Sequence, residues 1–205
     1  MNKLEEFNYF VTPIYAIKAP QFYEDVRKVA MEHLEASRCK QHGKMTVMTG
    51  NFSHEKSIAP FSQFVSQSVW NILNAQGYNM DLLVTFFQEM WCQEHNYQSA
   101  IDTHVHGNNS QMSVFYFLDM PEGACQMIIH DPRPAKVITT LPFKDDQKEC
   151  LGSNQIVFTP QEGILLFAPP WLPHQFTRNN AEDSVRFVHM NLGVAAAPLP
   201  DVEII

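Results

Sequence analysis

Beyond Gly77 the chain breaks into short apolar segments rich in β-formers, separated by Gly, Pro, Asn and Asp. The candidate strands are Leu82–Trp91, Ile101–His106, Met112–Leu118, Cys125–Ile129, Val137–Thr140, Gln155–Phe158, Gly163–Phe167, His174–Thr177 and Val185–Leu192. This pattern predicts an antiparallel sandwich or barrel, of which the jelly roll is one form. In "SVFYFL" and "GILLFA" successive residues are apolar, so both faces of those strands need cover. A second sheet on one side and helices on the other would provide it.

The helices come first in the chain. "VTPIYAI", Val11 to Ile17, predicts a short strand. "APQFYEDVRKVAMEHLEAS" follows, with Pro20 suited to a first helical turn. Phe22, Val26, Val29, Ala30, His33 and Leu34 recur there at helical spacing. The stretch from Arg38 to Pro60, rich in Gly, Ser, His and Lys, predicts a loop. "PFSQFVSQSVWNILNAQG" predicts a second helix with Phe61, Phe64, Val65, Val69, Ile72 and Leu73 as its stripe and Gly77 as its stop. The expected division is one domain: helical support over residues 1–80, a β core over 81–193 and a tail over 194–205.

At 45% hydrophobic and 18% charged residues, the chain can bury a sizeable core. A net charge of −8 argues against nucleic acid or an anionic membrane as a general partner. No apolar run approaches the ~20 residues of a membrane span. The opening "MNKLEEFNYF" lacks the apolar stretch of a secretory signal. Cys39, Cys92, Cys125 and Cys150 are widely spaced, without a C-x-x-C pair, which suits thiols in a reducing cytoplasm.

The histidines differ in what their positions allow. His33, His42, His54 and His95 stand singly and predict structural or solvated roles. His189, between Val188 and Met190 in the last strand, predicts a packed residue or one that orients a ligand. His130, beside Asp131, suits either kind of role. His104 and His106, in "THVHGNNSQMSVFYF", are a pair at the end of a candidate strand, and residues i and i+2 point to one side. His174, in "PPWLPHQF", begins another strand. Strand ends around one mouth of a barrel are where ligand sites collect. Neutral imidazole suits Fe, Zn, Cu and Ni, and a facial site needs three donors. Arg186, in "SVRFVHMNL", shares a strand face with Val188 and Met190. A guanidinium on such a face needs an anion: an internal acid, or the carboxylate of a bound molecule.

From about Leu82 to Gly193 the chain resembles the iron(II)- and 2-oxoglutarate-dependent oxygenases. "HVH", His104 to His106, stands where that family has H-x-D or H-x-E. "FTPQEGILLFAPPWLPHQF" resembles its turn, strand and distal histidine, which gives His174 that role. Arg186, twelve residues later, stands where the family carries the Arg or Lys that binds the far carboxylate of 2-oxoglutarate. "SVFYFLDMPEGACQMIIHDPR" resembles the central strand pair, in which Tyr116 would hydrogen-bond the cosubstrate. The string "H-x-H…S-x-x-Y…DPR…PH…R…N" is similar to a subgroup found in bacteria and phages.

The resemblance implies a double-stranded β-helix, or jelly-roll, core with flanking helices. It also implies an Fe(II)- and 2-oxoglutarate-dependent hydroxylase, in which the cosubstrate chelates iron and is decarboxylated to succinate and CO₂ while a second substrate is oxidised. One departure stands out: the usual carboxylate is replaced by His106. Iron held by His104, His106 and His174 is the expected arrangement, with a carboxylate from Asp131 as its main rival. A third arrangement leaves one of the pair to orient a ligand through its other ring nitrogen. Asp131 also suits a plain turn, since "DPRP" turns the chain. A cupin without 2-oxoglutarate would usually carry a Glu soon after H-x-H, where "GNNSQM" offers none. The other alternative is a non-enzymatic jelly-roll binding or structural module. Small-molecule and peptide substrates are both compatible with the sequence, as is a homodimer.

Overall fold

The computed structural model of the chain describes residues 4–138 and 141–197. Among the described residues ten strands form two antiparallel sheets. In chain order they are β1 (Tyr15–Lys18), β2 (Thr46–Met48), β3 (Leu83–His95), β4 (Ile101–His104), β5 (Met112–Asp119), β6 (Met127–His130), β7 (Gln155–Phe158), β8 (Ile164–Ala168), β9 (His174–Phe176) and β10 (Val185–Ala196). The larger sheet has the order β1-β8-β5-β10-β3-β2 and the smaller β4-β9-β6-β7. From β3 to β10 the chain crosses repeatedly between the sheets, and four strands in each make the double-stranded β-helix.

Helices α1 (Tyr23–Arg38) and α2 (Ala59–Ala75) cover the outer face of the larger sheet. α1 turns Val26, Val29, Ala30 and Leu34 inward, and α2 turns Phe61, Val65, Val69 and Leu73 inward. Each set repeats every three or four residues, the helical period. Gly77, at φ +97°, ends α2: Tyr78 N–H reaches back to the Leu73 carbonyl, a closure that needs a left-handed residue. A second apolar layer lies between the sheets, with Phe115, Phe117, Leu166, Phe176 and Phe187 at its centre. β5 is buried at every position from Met112 to Leu118, as the two-faced apolar pattern requires.

Two expectations change. A three-residue strand, β2, lies inside the stretch read as a loop, where Val47 packs into the core and β3 gains a partner along His95–Gln93. The strand expected over Val137–Thr140 does not form: Pro134–Ile138 is a 3-10 turn, and Thr139 and Thr140 lie outside the described residues. β6 is already paired on both edges, by β7 and β9, so it offers no place for another strand.

Alternation along β10 fixes where its side chains go. Val188, Met190 and Leu192 join the helix-side core, with Met90 and Cys92 of β3 as register partners or neighbours. Phe187 joins the core between the sheets. Arg186 therefore faces the helices. Its Nε donates to Glu94 Oε2 at 2.6 Å and its Nη1 to Asp119 Oδ2 at 2.7 Å. α1 completes the cluster: Arg38 Nε donates to Glu94 Oε1 at 2.9 Å, and Arg27 Nε to Asp119 Oδ1 at 2.8 Å. Burial pushes the Glu94 and Asp119 carboxyls up, but the arginine hydrogen bonds and charges outweigh it and hold both below their ordinary values.

Glu94 is 3% exposed, so Glu94→Gln leaves two arginines short of a charge partner and should cost about 3 kcal/mol in urea unfolding at neutral pH. Because the folded pKa lies below the unfolded one, the native carboxylate stabilises above its unfolded pKa, and that gain fades as pH falls through the folded one. The gap between the native protein and Glu94→Gln should accordingly narrow in acid. An undiminished gap at low pH would contradict the ion-pair origin.

Candidate metal centre

The site is built at the seam of the smaller sheet. β4 ends on His104 and β9 begins on His174, and antiparallel pairing sets these two residues opposite each other. His106 falls two residues past the end of β4, not on the strand as expected. Its backbone N–H donates to the Pro170 carbonyl at 2.7 Å, which ties the loop after β4 to the loop before β9. The three rings converge, with centroids 4.5 Å apart for His104–His174, 5.0 Å for His104–His106 and 5.1 Å for His106–His174. One nitrogen from each lies within 4.8 Å of the others.

Hydrogen bonds decide which nitrogens are available. His104 Nδ1–H donates to the Asp102 carbonyl at 2.8 Å, and His174 Nδ1–H to the Leu172 carbonyl at 3.0 Å. A carbonyl only accepts, so each Nδ1 carries the proton and each Nε2 keeps a lone pair. The Nε2 atoms of His106 and His174 stand 3.3 Å apart. Two nitrogens bound to one ion at about 2.1 Å and roughly a right angle would be about 3 Å apart. Burial, reinforced by the neighbouring imidazoles, pushes His106 down to about 4. Burial likewise lowers His174 to about 4 against the opposing Leu172 bond. Both are neutral at neutral pH, the form that binds metal. His174 is buried while His104 and His106 are half-buried, so the centre opens on the side of the pair. The residues fit a divalent metal bound on one face, and the open side leaves room for further ligands.

The inner wall is aromatic. His189 lies beside His106 with centroids 4.4 Å apart, flanked by Trp91 and Phe115, each at 4.3 Å. Trp91, which no local motif marks, also lines the site, and His189, expected to be packed or ligand-orienting, stands against His106. The position of His189 two residues from Phe187, on the face away from Arg186, was the available signal.

The remaining candidates go elsewhere. Asp131 is outside the histidine group among the described residues. Its Oδ1 accepts from Arg133 Nε at 2.9 Å and its Oδ2 from Arg133 Nη2 at 2.7 Å, with the Arg133 backbone N–H at 3.0 Å closing a turn. Arg186 does not point into the barrel, since the helix-side cluster takes its guanidinium. Tyr116 faces the helices too: its hydroxyl donates to the Ala19 carbonyl at 2.7 Å and its ring packs on Phe61. Strand alternation puts Arg186 and Tyr116, the expected cosubstrate residues, on the far face of the sheet from the histidines. Arg186 is paired with internal acids, one of the two kinds of anion that its strand face called for.

Residues 89–189 match the family model described as "Putative 2OG-Fe(II) oxygenase". No curated protein matches the chain. Among solved structures, AviO1 from Streptomyces viridochromogenes Tue57 is 13% identical, with a TM-score of 0.58 over 92% of this chain and 93% of that one. HygX from Streptomyces hygroscopicus, with nickel, 2-oxoglutarate and hygromycin B bound, is 10% identical, with a TM-score of 0.53 over 89% and 83%. A Trichoplax adhaerens prolyl hydroxylase, in complex with a hypoxia inducible factor peptide fragment, is 8% identical, with a TM-score of 0.55 over 87% and 82%. At such identities the structures report the fold, while the family match covers the segment holding the three histidines. Residues 89–189 thus form a domain of the iron(II)- and 2-oxoglutarate-dependent oxygenase family.

His104→Ala, His106→Ala and His174→Ala should each weaken Co(II) binding by more than the roughly 10–100-fold typical of an outer-shell partner. Asp131→Asn should leave it within about threefold. Loss of Co(II) from a folded Asp131→Asn protein, read by calorimetry, would move the carboxylate back into the site.

Proposed function

We propose that His104, His106 and His174 hold iron(II) through their Nε2 atoms, and that the chain is a 2-oxoglutarate-dependent oxygenase acting on a small-molecule or peptide substrate. The observation that carries this reading is the convergence of three imidazoles, two with Nε2 freed by a carbonyl on Nδ1. Iron and 2-oxoglutarate, when bound, supply the oxidative chemistry of the family. The residues of this chain do the rest. The Asp102 and Leu172 carbonyls hold two ligand rings in place and fix their tautomer. Phe115, Leu172 and Phe176 keep water from the inner side. The half-buried edge at His104 and His106 leaves the outer side for cosubstrate and substrate.

HygX holds hygromycin B and the Trichoplax hydroxylase a peptide fragment, which supports both substrate kinds for this fold and favours neither. No helix among the described residues is long and apolar enough to cross a membrane. Buried thiols at Cys92 and Cys125 support a reducing, cytoplasmic setting.

Anaerobic titration with Fe(II) and then 2-oxoglutarate should produce a weak visible charge-transfer band, and admission of O₂ should yield succinate. His174→Ala should abolish both. A native protein that binds Fe(II) yet gives neither band nor succinate would refute the proposal.

A further inference from the structure

Arg186, the cation that the family would place on the cosubstrate, is turned to the helices instead. A 2-oxoglutarate dianion brings two carboxylates, and each needs donors once it leaves water. Among the described residues no Lys or Arg is buried. The wall beside the histidines carries neutral polar groups instead: Gln93, His95, Ser113, His189 and Asn191, all buried. Register and alternation put them on the face of β3, β5 and β10 that holds Phe115 and Phe187.

His189 is the one that touches a ligand candidate. Its ring meets His106 edge to face, it is 1% exposed, and its Nε2 has no hydrogen-bond partner. Folded proteins seldom keep a buried polar atom unsatisfied without a use for it. Trp91 and Phe115 flank the ring, and Asn191 lies two residues along on the same strand face. Asn191 is itself held by the Ser113 hydroxyl, which donates to Asn191 Oδ1 at 2.9 Å. His189 lies outside the group whose nitrogens fall within 4.8 Å of one another, so it is a neighbour of the centre and not a fourth ligand.

We propose that His189 is a cosubstrate-binding residue: its Nε2–H donates to a carboxylate oxygen of 2-oxoglutarate bound at the histidine centre, so that a neutral wall replaces the usual guanidinium. The inference rests on the oxygenase reading above.

The test uses the full chain loaded with Ni(II), a redox-silent metal, with 2-oxoglutarate binding followed by calorimetry. His189→Leu should keep its Ni(II) and lose at least tenfold in 2-oxoglutarate affinity. His189→Gln, which retains an N–H donor, should lose less and covers the case in which leucine disrupts folding. Arg186→Met, checked for folded circular dichroism, should bind 2-oxoglutarate within about threefold of the native protein. Unchanged affinity in both His189 variants overturns the proposal. So does loss of Ni(II) from a folded His189 variant, which would make His189 a ligand, or selective loss of 2-oxoglutarate from folded Arg186→Met. A native protein that holds Ni(II) but ignores 2-oxoglutarate defeats the oxygenase reading as well, which separates the two failures.

Discussion

The central strands β5 and β10 are buried on both faces, and a sheet of that kind must be covered twice before it can stand in water. α1 and α2 cover one face, and the smaller sheet covers the other. The two covers differ in what they leave behind. Helices pack side chains densely and present no strand ends. The second sheet brings its own strand ends to the seam, and there His104, His106 and His174 gather. The site thus follows from the way the inner face is closed.

The same division explains Arg186. A guanidinium on a two-faced apolar strand is tolerable only beside an anion, and the two faces offered different ones. On the helix side Glu94 and Asp119 stand ready, each shared with an arginine of α1. The cluster alternates sign through five side chains, so every charge there has an opposite neighbour. Its effect is to join α1 to the middle of the larger sheet, an organising role distinct from chemistry at the histidines.

Much of this was legible in the sequence. Spacing located both helices, the Gly77 stop and every strand from β3 to β10, because period and turn residues are local signals. The histidine pair and its distant partner could be singled out because i, i+2 geometry and strand ends are local as well. What alternation could not tell was which apolar face looked inward. Arg186 was correctly grouped with Val188 and Met190, yet that face proved to be the helical one. Tyr116, among buried neighbours on both sides, carried no label either. β2 escaped because three residues on an edge leave little pattern, and Pro134–Ile138 closes into a 3-10 turn where the strand over Val137–Thr140 was expected to begin.

β4 has four residues, lies at the edge of its sheet and pairs irregularly with β9, its register slipping between Ile101 and His104. Backbone bonding alone holds it loosely. His106 and His174 lie 68 residues apart in the chain, so an ion bound to both closes a long loop. On the proposed reading the metal would act as a clasp on this short edge strand, and part of its binding free energy would be folding free energy. Metal loss would then loosen the mouth of the barrel before it disturbed the helical side, making order in β4 a gauge of occupancy.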